Sequence, residues 1–246
     1  MNLQQRTIII TGGTSGLGLA LVKMLAQASN QLIVIGRNRE SLNELANQYP
    51  EVTPYLCDLA SPRATEKTAQ RIINEHSNVS ILINNAAVQH SSEHWLNNFC
   101  LENTLTEVQT NLITPVLLSA LFAKAFHKQN QPCAIVNISS ALAIAPKTQA
   151  PVYCATKAAL SNFSHSLRYQ LAGTLVQVND VILPLVDTPM TRGRGANKLP
   201  AAQAAQAIIK GITQNRPTIY VGKAKYLPWL MRISPSLVAR ILQGAN

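Results

Sequence analysis

Acidic side chains are scarce in this 246-residue chain: 11 Asp and Glu stand against 21 Lys and Arg, a formal net charge of +10 at pH 7. Such an excess attracts phosphates in general and selects no partner by itself. A continuous basic block, zinc-finger spacing and a basic-aromatic platform are all missing, so nucleic acid is not an expected partner. Charged residues of both signs make up only 13% against 47% hydrophobic, which excludes a disordered chain and implies an ordered core. Uncharged apolar runs stay short of the roughly 18 residues a membrane span needs. Met1 to Arg6 leads into the first strand without a signal-like hydrophobic region, so a cytoplasmic protein is the expectation. Cysteine is sparse too. Cys57, Cys100, Cys133 and Cys154 lack metal-site spacing and the density of a disulfide scaffold, and read as small buried hydrophobes with no metal role.

What is present is an alternation of apolar strands and amphipathic helices. Arg6–Ile10, Gln31–Ile35, Val52–Leu56, Ile81–Ile83, Ala134–Ile138, Val176–Leu183 and Thr218–Val221 read as strands. Leu17–Ala28, Arg39–Gln48, Pro62–Glu75, Glu107–Lys128, Pro151–Leu171 and Pro200–Thr213 read as helices, with Pro115 marking a kink or a late start in the long one. The pattern predicts one Rossmann-like α/β domain over 1–246, its roughly seven-stranded, mostly parallel sheet flanked by helices on both faces. Pro189, Gly193, Gly195 and Pro200, interleaved with Arg192, Arg194 and Lys198, mark a loop over the ligand site at 185–200. The segment 223–246 mixes Tyr226, Trp229 and Met231 with Lys and Arg; packing on the domain or a second subunit is favoured over a membrane surface.

Between the first strand and helix lies Thr11-Gly12-Gly13-Thr14-Ser15-Gly16-Leu17-Gly18. Glycine at 12, 16 and 18 permits a tight turn, a backbone passing close to a pyrophosphate and close helix-sheet packing, while the helix N-terminus offers amide donors. Leu19 follows Gly18 where a P-loop requires Gly-Lys-Ser/Thr. At the end of the second strand stands Arg37, followed by Asn38, where an acid would select NAD(H); a cation there attracts a 2′-phosphate and favours NADP(H), with NAD(H) as the alternative. Asp58, after the third strand, is placed to accept from an adenine amino group or to cap a helix. Tyr153 and Lys157 are four apart on a helix and so address one site, and a neighbouring cation favours phenolate over phenol.

In order and spacing, the glycine turn, Asn84-Asn85-Ala86-Ala87, Ser139 and Tyr153-Cys154-Ala155-Thr156-Lys157 resemble the short-chain dehydrogenase/reductase family over nearly all of residues 5–222. Pro151–Ala159, Leu183–Met190 and Val221–Leu227 are similar to its DltE-like oxidoreductase branch. The resemblance implies that Ser139 holds the substrate oxygen, Tyr153 exchanges its proton, Lys157 binds the nicotinamide ribose and tunes the phenol, and Asn111 organises a water or backbone relay. It implies a cofactor path along Gly12, Thr14, Ser15, Gly16, Leu17, Gly18, Arg37, Asn38, Asp58, Leu59, Asn85, Ala86, Pro184, Val186 and Thr188, together with Tyr153 and Lys157. The family's usual Asn-Asn-Ala-Gly and Pro-Gly appear here with Ala87 and Leu185. The implied activity is carbonyl/alcohol oxidoreduction of a small molecule by a homodimer or homotetramer. A nucleotide-dependent epimerase or dehydratase and a redox-responsive NADP(H)-binding interaction protein are the alternatives.

Overall fold

The computed structural model describes residues 1–90 and 99–243, so the last three positions of the segment 223–246 lie outside the described residues. Its frame is a seven-stranded sheet made of β1 (Thr7–Thr11), β2 (Gln31–Gly36), β3 (Val52–Leu56), β4 (Val79–Asn84), β5 (Cys133–Ser140), β6 (Val176–Leu183) and, at the far edge, β9 (Thr218–Tyr220). Their order is β3-β2-β1-β4-β5-β6-β9, and every pairing is parallel. The chain winds outward from β1 in one direction and then from β4 in the other. A crevice therefore opens at the carboxyl ends of these two strands, where the connections diverge to opposite faces.

Both faces of the sheet are buried, which is why β1 and β2 read as unbroken apolar runs rather than alternating ones. Ile8 and Ile10 point to one layer with Leu32 and Val34, packed under α1 (Gly16–Ala26), α2 (Arg39–Gln48) and the helix Ala201–Thr213. Ile9, Ile33 and Ile35 point to the other, under α3 (Pro62–Glu75) and a long helix, α4 (Leu101–Gln129), whose Leu118, Phe122 and Phe126 are fully buried. By length and composition α4 is apolar enough to cross a membrane, and here it is a core helix. Next in chain order come α5 (Pro151–Gln170), a short parallel pair β7 (Val186–Asp187) and β8 (Leu199–Pro200), and α6 (Ala201–Thr213).

Some expectations change. Helix α4 starts at Leu101 rather than Glu107, and Pro115 stands in the first turn of its second α-helical part, Thr114–Gln129, directly after a π-helical stretch, Gln109–Ile113. Proline lacks the N–H that would reach the carbonyl of Asn111 in an α-helix, and the wider turn accommodates that loss, with the Thr114 N–H bonding back to Gln109. Of the four cysteines, Cys100 is exposed at the head of α4 while the other three are buried as expected. The loop at 185–200 is partly ordered by the β7–β8 pair. The C-terminal segment forms α7 (Leu227–Ile233) and α8 (Pro235–Gln243), seated on Ala145 through Leu227 and Val238.

Candidate active site

The turn after β1 is built by close approach. Gly12 and Gly16 sit at φ +66° and +53°, a region that side chains other than glycine adopt at a cost. A Cβ on Gly18 would lie 2.1 Å from the Gly12 carbonyl oxygen, and one on Gly16 would lie 3.0 Å from Cβ of Thr188. At the head of α1, Ser15 makes no side-chain capping bond, which leaves the first amides of the helix facing the crevice. The turn is tied to β4 by Asn85, whose Nδ2 donates to the carbonyls of Thr11 (2.9 Å) and Gly12 (3.1 Å). In return, Oγ1 of Thr11 accepts from the backbone N–H groups of Asn85 (3.0 Å) and Ala86 (2.9 Å).

The crevice is a cavity of about 450 Å³. Every position expected on the cofactor path lines it: Gly12 and Thr14–Gly18 from the turn, Arg37 and Asn38 after β2, Asp58 and Leu59 after β3, Asn85 and Ala86 after β4, and Pro184, Val186 and Thr188 after β6. Besides Asn85 and Thr188, the latter paired with the Thr191 hydroxyl, two more of these side chains are already engaged. Asn38 caps α2 by accepting from the Ser41 N–H at 2.8 Å, and Asp58 accepts from the Ala60 N–H at 3.0 Å. Arg37 is exposed at the rim. Ala87 and Leu185, where the family pattern has glycine, also face the cavity.

Ser139, Tyr153 and Lys157 meet at its other end. Ser139 comes from the carboxyl end of β5, and its Oγ is buried without a hydrogen-bond partner. Lys157 Nζ donates to the Ile138 carbonyl at 2.7 Å and lies 5.7 Å from the centre of the Tyr153 ring. Burial lowers the Lys157 pKa to about 8, against the opposing pull of the buried Asp180 carboxylate. The same burial dominates at Tyr153, which is pushed up to about 12; the Arg194 charge and a hydrogen bond with Ser140 act in the other direction. Desolvation of the ring thus outweighs the neighbouring groups that favour phenolate.

Asn111 stands apart from the cavity wall. Fully buried in the π-helical stretch, it clamps the strand end after β4, with Oδ1 accepting from the Val88 N–H and Nδ2 donating to the Val88 carbonyl, both at 2.8 Å. Asn84 lies deeper still, in a polar chain in which its Nδ2 donates to Asn137 Oδ1 and Asn137 Nδ2 donates to Ser164 Oγ, each at 2.8 Å. These bonds fix β4, β5 and α5 relative to one another, and so fix where Ser139 and Tyr153 point.

The family model for short chain dehydrogenases matches residues 6–199. The chain belongs to that family. It is an oxidoreductase of the short chain dehydrogenase type, on a Rossmann-like fold. It is similar to the uncharacterized oxidoreductase DltE of Bacillus subtilis (strain 168), at 38% identity over 192 residues covering 78% of this chain and 76% of that one. It is also similar to the L-xylulose reductase of Mus musculus, at 34% identity over 192 residues with the same coverage. Among solved structures, a short chain dehydrogenase from Burkholderia cenocepacia J2315 in complex with NADP superposes with a TM-score of 0.87 at 22% identity, over 98% of this chain and 99% of that one.

The short chain dehydrogenase frame accommodates a dinucleotide in three respects: a glycine cradle that a Cβ would fill, unengaged amides at a helix head, and an unpartnered serine at the reacting end. Sequence reasoning missed Gln89, Thr110 and Lys147, which also line the cavity. No local pattern announces them. Gln89 and Lys147 sit in irregular connections without periodicity, and Thr110 is brought to the wall by the π-helical stretch.

Proposed function

We propose that this chain interconverts a carbonyl and a secondary alcohol, with a nicotinamide dinucleotide held along the Gly12–Gly18 turn and the 2′-phosphorylated form, NADP(H), preferred. The observation that carries the reading is the Ser139 hydroxyl, buried and unpartnered in the same cavity as Tyr153 and Lys157. A buried polar group left unsatisfied costs about 1–3 kcal/mol, and a substrate oxygen in the cavity is the partner that relieves it. The nicotinamide, when bound, supplies or accepts the hydride.

The chain's own groups handle the oxygen and its proton. Ser139 donates a hydrogen bond to the substrate oxygen and fixes it in place. Tyr153, held protonated near neutral pH by its burial, delivers its proton to that oxygen in the reductive direction, and the Ser140 hydroxyl and the Arg194 charge favour the phenolate that results. Lys157 keeps a cation at the ring face, and Asn111 holds the Val88 peptide beside the site. Arg37 supports the cofactor preference, since the cavity rim after β2 carries a cation where an acid would repel a 2′-phosphate. Similarity to a reductase of a small ketose and to a structure holding NADP points the same way. A homodimer or homotetramer is the assembly we propose, read from the family, and light scattering measures it directly.

The test is Tyr153→Phe. Carbonyl reduction is expected to fall by about 100-fold or more, while NADPH titrates the variant much as it does the wild type. Wild-type turnover by a folded Tyr153→Phe protein would sink the assignment.

A further inference from the structure

The charged side chains lining the cavity, among the described residues, are Arg37, Asp58, Lys147, Lys157 and Arg194. Arg37 and Asp58 belong to the strand ends at the dinucleotide side. The reacting end is therefore lined by cations alone. Lys157 is accounted for by its bond to the Ile138 carbonyl and its place beside Tyr153. Lys147 and Arg194 are not. Neither takes part in an ion pair among the described residues.

The two come from separate connections and converge. Lys147 lies in the connection between β5 and α5. Burial lowers its pKa, and the Arg194 charge lowers it further. Arg194 lies in the 185–200 loop, where Nη1 donates to Gln89 Oε1. The opposite end of that amide, Gln89 Nε2, is buried with no hydrogen-bond partner among the described residues, and Gln89 is one of the residues lining the cavity. The carboxylate whose charge reaches Arg194 is Glu107, which is committed to the His90 backbone N–H and has its own pKa raised by burial. Arg194 lines the cavity that holds Tyr153, and its charge favours the Tyr153 phenolate. Two like charges on one cavity wall, with a buried amide donor left unsatisfied beside Arg194, repel one another, and an anion bound there relieves the repulsion.

We propose that Lys147, Arg194 and Gln89 Nε2 form an oxyanion-reading wall, so that the carbonyl substrate carries a carboxylate or a phosphate ester. The inference rests on the carbonyl-reductase reading above and specifies its substrate class. Arg192, one step away in sequence from Gly193, is exposed and does not line the cavity, so it takes no part.

Matched probes test it. Steady-state reduction with NADPH is measured for the ketones 4-acetylbenzoate against methyl 4-acetylbenzoate, and for dihydroxyacetone phosphate against dihydroxyacetone. Calorimetric titration of 4-acetylbenzoate reports binding independently of turnover. In the wild type, kcat/KM is expected to favour the anionic member of at least one pair by about tenfold or more, and Arg194→Gln or Lys147→Gln to erase about tenfold of that ratio, mainly through KM. Arg192→Gln leaves the ratio as it was. Equal kcat/KM within both pairs overturns the wall and leaves the oxidoreductase reading standing. Binding of the anion that depends on Arg194, with no turnover of any probe, keeps the wall and removes the carbonyl reading. Loss of NADPH affinity in Arg194→Gln would assign the arginine to the dinucleotide phosphates and overturn the proposal.

Discussion

Gly18→Ala puts a methyl group where the turn has no room for one. The added Cβ would lie 2.1 Å from the Gly12 oxygen, 2.6 Å from Asn85 Nδ2 and 2.9 Å from the Gly12 carbonyl carbon. Ordinary carbon contacts begin near about 3.5 Å, so the backbone must open by more than an ångström. The atoms it meets are the ones that hold the turn, because Asn85 Nδ2 bonds the Thr11 and Gly12 carbonyls. Overpacking of this kind together with the loss of one such bond is worth about 2–4 kcal/mol. For a chain of this size the melting midpoint should fall by about 5–15 °C, read by scanning calorimetry, and fluorescence titration with NADPH should show weakened binding as the first helical amides swing away. Gly173→Ala is the control: its φ is +85° and nothing lies within 4 Å. It should cost only the left-handed backbone strain of about 1–2 kcal/mol and leave the titration untouched. A Gly18→Ala protein that melts and binds NADPH like the wild type would refute both the close approach and its link to the cofactor.

Three further outcomes are expected. In the reductive direction, kcat/KM should fall on the alkaline side as the Lys157 cation is lost near about pH 8; Asp180→Asn, by removing the carboxylate that opposes this depression, should move that limb to lower pH, and an unmoved limb would count against Lys157 as the titrating group. The sign for stability is opposite: with the folded pKa below the unfolded value of 10.5, the unfolded chain binds the extra proton between about 8 and 10.5, so Lys157 penalises the fold below pH 8 and the penalty lifts as pH rises through that window. Arg37→Glu should weaken NADPH by about tenfold or more relative to NADH, and parallel titrations that leave the ratio intact would remove the arginine from cofactor selection. Phe122→Ala, at a ring with no solvent exposure in the layer under the sheet, should cost about 3–5 kcal/mol in urea unfolding.

The parts of the molecule legible in the sequence are those whose physical cause is local. A turn that admits no Cβ demands glycine wherever it occurs, and two side chains four apart on a helix share a face in any fold. Gly12–Gly18, Tyr153 and Lys157 could therefore be read directly, and β3, α2 and α3 fall where the periodicity put them. The head of α4 was hidden because Leu101 and Leu105 are exposed, so its first turns bury no apolar face and carry no helical stripe. Which backbone group Asn111 holds could not be read from sequence: the π-helical stretch sets it on the Val88 peptide, a contact between residues distant in sequence. The raised Tyr153 pKa has the same origin: how much a ring is desolvated depends on everything packed around it, and i,i+4 spacing reports only one neighbour. Lys147 converges on Arg194 through tertiary folding alone.

The two rims of the sheet bear on how copies of this chain can assemble. At one rim, Leu32 N–H bonds to the Glu51 carbonyl and Cys57 N–H to the Gly36 carbonyl, so the odd-numbered peptide groups of β3 face β2 and the even-numbered ones face outward. Pro54 is one of the outward positions, and a visiting strand would find no donor there. At the other rim β9 spans only Thr218–Tyr220 before the chain turns at Gly222, with φ +53°. One border is missing a donor and the other is three residues long, a pairing that discourages continuous sheets across subunits. The proposed self-association would then use helix and loop faces, and a variant that restores a donor at position 54 is the place to look for unwanted strand-to-strand growth.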